Sequence, residues 1–350
     1  MHRRNFMVAA ALLALGSAVA PIRAEEQNRI SGPFVHENLA VYFVHGASAP
    51  GPVPLTLAEA LADKTVEVTE TGNVQELTIE NRGDKPVFIQ LGDIVKGGKQ
   101  DRVLYMSFLL PPKSGPLPIG AYCVEQGRWS KRGSEDVASF SDSERMVPSR
   151  AAKLALSEPT ADADISSAGG WSQSALLPGA SRQSVIWESV ASTQDKLSAA
   201  IGDNVASSVS SSSLQLALEN KELNRKVDAF VAALEERAKE ADDIVGFVFA
   251  VNGRINSGDV YPSNGLFMKM WPKLLRAAAT EALGAGEATV ASAPIADRIA
   301  AFINAADSGD IREDRIVNDI RVERRGTEET LKTETTAASG AVLHKSYIVR

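Results

Sequence analysis

The chain has 350 residues, a formal net charge of −7, 44% hydrophobic residues and 23% charged residues. That balance fits a globular protein able to bury a core, with a length near that of two domains, and its acidity argues against nucleic acid or anionic lipid as a general partner. The lone cysteine, Cys123, excludes an intramolecular disulfide, and no HxH, HExxH or CxxC pattern supplies a metal site.

Residues 1–24 read as a cleaved export signal. "MHRRNFM" is basic, an apolar run extends from Phe6 to about Ala20, and Ile22-Arg23-Ala24 offers a cleavage point. The run is shorter than the ~20 apolar residues of a membrane span. Arg3 and Arg4, followed one residue later by Phe6 and Met7, match the twin-arginine motif; an ordinary secretory signal with two arginines stands as the alternative. A periplasmic or secreted protein is expected, with no integral membrane segment after cleavage.

"LAVYFV" (39–44) is apolar on both faces and predicts a fully buried strand. Thr56 with Glu59 forms a capping-box pattern ahead of a short helix. "TVEVTE" (65–70) and "VQELTIEN" (74–81) alternate with period two, and "RGDKP" is turn chemistry. "VFIQLGDIV", "RVLYMSFLL" and "AYCVEQGRW" continue the series. Residues 31–130 therefore predict an antiparallel β-rich half, sandwich- or barrel-like. Residues 131–184, rich in Ser, Ala and Gly, predict a long loop.

Residues 185–306 predict a helical and α/β half. Val185, Trp187, Val190 and Leu197 fall near one helical face, and Leu223, Val227, Phe230, Leu234 and Ala238 on another. The serine run between them reads as a linker rather than as nucleophiles. "DIVGFVFAVNGRINSGDV" predicts a hairpin about an Asn-Gly turn. The stripe Phe267, Trp271, Leu274, Ala278 and Ala282 passes through Pro272, which predicts a kinked or restarted helix, with Gly284 at its end. "ATVASA" predicts a strand and "IADRIAAFINAAD" a helix. Residues 315–350 predict three strands of a terminal meander. The fold class is α+β.

The conspicuous stretch is "GDIVKGGKQDR", a cluster of charge on a turn between two strands. It is not a phosphate-binding P-loop: Gly98-Lys99 is followed by Gln100 rather than a hydroxyl residue, and a strand follows instead of a helix. "YCVEQGRW" lies one strand later, and consecutive strands are usually neighbours. Lys96, Lys99, Gln100, Arg102 and Arg128 can bind an anionic or polar ligand through charge-assisted hydrogen bonds, with Trp129 stacking and Asp101 and Glu125 orienting the cations. The same residues can equally pair among themselves as a structural ion network. Cys123 reads as a small buried hydrophobe. Asn252, Arg254, Asp259 and Tyr261 form a second, weaker candidate.

The blocks "VQELTIENRGDKPVFIQLGDIVKGGKQDRVL", "PLPIGAYCVEQGRW" and "QSVIWESV" resemble the ARG and Rhodanese-Phosphatase-superfamily-associated Protein domain, from about Ser31 to Ala306. The resemblance implies no established activity, substrate or cofactor. The family's name hints at nucleotide or phosphate chemistry, and the match ties the two charged blocks together. The expected function is binding of a small anionic or polar ligand at the charged hairpin. One alternative is a hydrolase of a phosphorylated or ribosylated substrate, with Glu125 or Asp101 as general base. The other is a scaffold that binds a protein partner through 130–184 and the helix at 219–241.

Overall fold

The computed structural model describes residues 29–158, 179–286, 292–317 and 319–350. The export signal, most of "ATVASA" and the middle of the 131–184 segment lie outside the described residues. The architecture is α+β, with antiparallel sheets predominating.

The largest sheet has eight strands, with β1 (Arg29–His36) and β2 (Leu39–His45) beside β12 (Ile244–Val251) and β13 (Arg254–Val260). It continues through β17 (Val342–Val349), β16 (Thr330–Ala337) and β15 (Ile320–Gly326) to β14 (Asp310–Val317) at the edge. The first two strands of the chain thus complete a sheet built mostly from its second half. The C-terminal meander has four strands; β14 was not among the three expected.

β2 is buried along its whole length because the sheet is covered on both faces. Leu39, Val41 and Phe43 pack with Phe230, Phe267 and Trp271 of helices α5 (Lys221–Leu234) and α6 (Asn264–Ala285). Ala40, Tyr42 and Val44 pack with Ile299, Phe302 and Ile303 of α7 (Ala296–Asp307). Alternation of side chains along a strand sends each set to its own layer. The stripes expected on α5 and α6 are buried throughout. α6 runs through Pro272 as one helix and is capped at Gly286, two residues beyond the expected end.

A six-stranded sheet has β11 (Phe140–Met146), β7 (Asp93–Gly97) and β8 (Arg102–Leu104) on one side. β10 (Gly115–Cys123), β5 (Glu76–Asn81) and β4 (Val66–Glu70) complete it. A three-stranded sheet, β3 (Leu55–Thr56), β6 (Val87–Ile89) and β9 (Phe108–Leu110), sits beside it, with β3 and β6 parallel. The helix α1 (Leu57–Ala62) packs on this region and carries the capping box, with Thr56 and Glu59 each bonding the other's backbone N–H.

Two expectations are corrected. The 131–184 segment is not a continuous loop: it contributes β11, α2 (Arg150–Ser157) and the start of α3 (Gly179–Ile201). β11 escapes a pattern search because it is half-exposed and rich in Ser, Asp, Glu and Arg; its pairing with β7 supplies the order its side chains do not. On α3, Ile186, Val190 and Leu197 are buried while Val185 is exposed, so the apolar face is rotated one residue from the one expected.

Candidate functional site

β7 and β8 are joined by a tight turn in which Gly97 and Gly98 take φ of +119° and +52°, a region where side-chain-bearing residues are strained. The turn folds Asp101 inward, where it is completely buried. Arg132 binds it at two points, both at 2.7 Å, and Ser213 donates to it at 2.7 Å. Ser213 also caps the helix α4 (Leu214–Leu218), accepting from the N–H of Leu216. Its one hydroxyl ties a helix start to a buried carboxylate.

Glu125, just beyond β10, is equally buried. It accepts from the N–H of Asp101 at 3.0 Å, from Arg128 at 2.7 and 2.8 Å, and from Ser210. Burial by itself would raise its pKa, but the hydrogen bonds from Arg128, Ser210 and the Asp101 backbone outweigh that and hold it below its ordinary value. Arg128 also donates to the carbonyls of Gly97 and Gly98, stitching the hairpin turn to the strand beside it. Arg102, wholly buried, reaches Gln100 O at 2.6 Å and Glu70 at 3.3 Å. Gln100 donates to Glu125 O and accepts from the Cys123 thiol at 3.0 Å. Burial pushes that thiol up to about 11, the setting of an inert core cysteine.

The structure therefore brings Gln100, Asp101, Arg102, Glu125 and Arg128 together in alternating charges. Lys96 stands outside, paired with Glu219 at 2.6 Å. Lys99 lies 5.0 Å from the centre of the Trp129 ring, and Trp129 is 44% exposed. The acceptor positions of Asp101 and Glu125 are occupied by guanidinium groups, hydroxyls and backbone N–H groups. Such an arrangement can fix a turn and a helix start. None of the three cavities described below is lined by these residues.

Arg132, Ser210 and Ser213 were not foreseen. Arg132 follows Trp129 by three positions, which offers a weak signal. The serine run, read as a linker, is pinned at Ser210, Ser212 and Ser213 to Glu125, Gln126 and Asp101.

A cleft of about 850 Å³ opens elsewhere, at the end of the large sheet where the turns β1–β2 and β12–β13 lie side by side. Asn38 and Asn252 come from those turns, Arg225, Lys226 and Phe230 from α5, and Leu283 from α6. Asn38 donates to Ala282 O and Gly286 O, closing the end of α6. Lys226 donates to Ala200 O at the end of α3. The side-chain oxygen of Asn252 is buried without a hydrogen-bond partner, as is Nε2 of the neighbouring His36. Asn252, from the second-ranked group of the sequence, is thus the candidate that reaches an open space. Smaller cavities lie beside Arg145, Lys273 and Arg276, and beneath Ser107 and His344. Among the described residues no group of three or more His, Cys, Asp or Glu side chains is placed to hold a metal ion, and no helix is long and apolar enough to cross a membrane.

Fold and network together define an α+β domain of large antiparallel sheets with a buried ion cluster at the turn between β7 and β8. The chain belongs to the family of the ARG and Rhodanese-Phosphatase-superfamily-associated Protein domain, whose model matches residues 27–348. No curated protein and no solved structure matches it.

Proposed function

We propose that this protein binds a compact ligand carrying an anionic group and an apolar body, and that the ligand occupies the cleft at the turn end of the large sheet. The observation that carries this reading is the cleft itself, about 850 Å³ with a buried, unpartnered acceptor on Asn252. Pockets of this size with a few convergent polar groups are the usual form of small-molecule sites. Lys226 supplies positive charge on one wall, where Arg225 beside it is paired to Glu222; Glu37 lies at the β1–β2 turn, and Phe230 and Leu283 supply apolar surface. An unpartnered buried oxygen calls for a donor from the ligand. On this reading the charged hairpin holds the fold together instead of holding the ligand. The basic, apolar N-terminal segment supports export to the periplasm or beyond.

The test is a thermal-shift screen of the chain lacking residues 1–24 against nucleotides, sugar phosphates, small carboxylates and sugars. A ligand at a hundred times its dissociation constant adds about 2.7 kcal/mol of stability. The expected result is a shift in the wild type that disappears in Ala229→Trp, which fills the cleft from an exposed position, and in Lys226→Glu. A shift that survives both variants but is lost in Lys99→Ala/Trp129→Ala would move the site to the hairpin.

A further inference from the structure

The polar lining of the cleft is divided by charge. At its turn end stand Glu37 and Asn252, on two turns locked together by the Asn252 N–H, which donates to Asn38 O at 2.9 Å. Glu37 is 61% exposed at its side chain, and its one ion contact among the described residues is with His36 Nε2, 3.8 Å away. Glu37 takes φ of +49°, a conformation that suits Gly or Asn better, so nothing in the turn's geometry calls for a carboxylate there. The unpartnered oxygen of Asn252 is a second acceptor at the same end. Acceptors alone, one of them ionised, match a cationic donor.

The α5 wall has the opposite character. Lys226 gives one of its three N–H donors to Ala200 O at 2.7 Å and keeps two for other acceptors. Glu37 and Lys226 line one cleft, yet among the described residues no ion pair joins them. Opposite charges held apart across an open space are complementary to a ligand of reversed polarity. Between them lies apolar surface from Phe230, Leu283 and Val35, the last 55% exposed.

We infer that the ligand of this cleft is a zwitterionic amino compound: a primary ammonium at one end, a carboxylate at the other and an aliphatic body between. The inference rests on the cleft reading above and adds the ammonium to it. The ammonium donates to Glu37 and to Asn252 Oδ1, and the carboxylate accepts from Lys226. The aliphatic body lies on Phe230, Leu283 and Val35. A free apolar amino acid and a short apolar peptide share this chemistry, and a volume of about 850 Å³ admits either.

The test is calorimetric titration of the full chain with leucine and trileucine, each also in its N-acetyl and its C-terminal amide form. The expected result is one site for at least one of the two zwitterions. Acetylation should weaken it at least about tenfold, the factor that ~1.4 kcal/mol of charge-assisted bonding gives. Glu37→Gln, at an exposed position, should weaken the free compound by a similar factor at an unchanged thermal midpoint and leave the acetylated one unaffected, because both changes remove the same contact. Lys226→Gln should stand in that relation to the amide form. Tighter binding of leucine points to free amino acids as the source, and tighter binding of trileucine to peptides. Binding of neither zwitterion, or acetylated forms that bind as tightly as free ones, overturns the inference. In the latter case, loss of the acetylated compound's binding in Ala229→Trp leaves the cleft reading standing. Zwitterion binding that survives Ala229→Trp overturns both.

Discussion

Asp101 and Arg132 meet in a two-point ion pair, with both N–O distances 2.7 Å and neither side chain more than 3% exposed. Burial of a charge is tolerated when its partner and hydrogen bonds are all present, and becomes costly when one partner is removed. Arg132→Met leaves two carboxylates buried with Arg128 as the remaining cation in contact with Glu125. Its expected cost is about 3–5 kcal/mol in urea unfolding. The double variant Asp101→Asn/Arg132→Met should lose less than the sum of the two single losses, because the groups share one interaction.

Acid should weaken this network in a defined direction. Glu125 is held below its ordinary pKa despite burial, by Arg128, Ser210 and the Asp101 N–H. The unfolded chain therefore binds more protons in that range than the folded one. The stability Glu125 contributes is present above the unfolded carboxylate value, about 4.3, and is lost as pH falls from there through the lowered folded value. Urea midpoints of the wild type should fall over that interval. Glu125→Gln should be less stable at neutral pH and show a flatter profile.

Ser213 serves as helix cap and carboxylate partner at once, donating to Asp101 and accepting from Leu216 N. Ser213→Ala should cost about 1–2 kcal/mol, at the upper end for a helix cap. Ser212→Ala, which loses only exposed bonds to Gln126, should change the urea midpoint much less.

Two glycines should respond with opposite sign. A Cβ at Gly246 on β12 would lie 2.4 Å from the Asp259 carbonyl and 2.9 Å from Val260 Cα, both main-chain atoms of the adjacent strand. Gly246→Ala should destabilise by about 1–3 kcal/mol, as overpacking does. At Gly284, inside α6, the nearest atom would be Leu197 Cδ2 at 3.5 Å, an ordinary contact. Gly284→Ala should stabilise by about 0.5–1 kcal/mol, since glycine is the poorer helix former. Paired thermal melts decide both.

Much of the fold was legible because its signals are local. The buried β2, the capping box at Thr56 and Glu59, the Asn-Gly hairpin and the stripes of α5 and α6 follow from periodicity and turn chemistry over a few residues. β11 and β14 were missed because their side chains are polar and half-exposed and their order comes from pairing partners. The charged residues of the hairpin stood out as a group, but their number and type are the same whether they face a ligand or one another.

That choice belongs to residues far along the chain. Arg132, Ser210 and Ser213 occupy the positions on Asp101 and Glu125 that a ligand would otherwise take; the loop after β10 brings the first, and the chain entering α4 brings the two serines. Likewise Asn252 and Lys226 line one cleft because β1–β2, β12–β13 and α5 converge at one end of a sheet whose neighbouring strands are some two hundred residues apart in sequence, as with Phe43 and Phe247. The class of the fold, most of its helices and strands, and the family to which it belongs could be read along the chain, because propensity and hydrophobic period act over short range. Tertiary structure alone decided which charges are paired, where an open space remains, and that Glu37, Asn252 and Lys226 line it, because burial and hydrogen-bond geometry arise between segments that the chain order keeps apart.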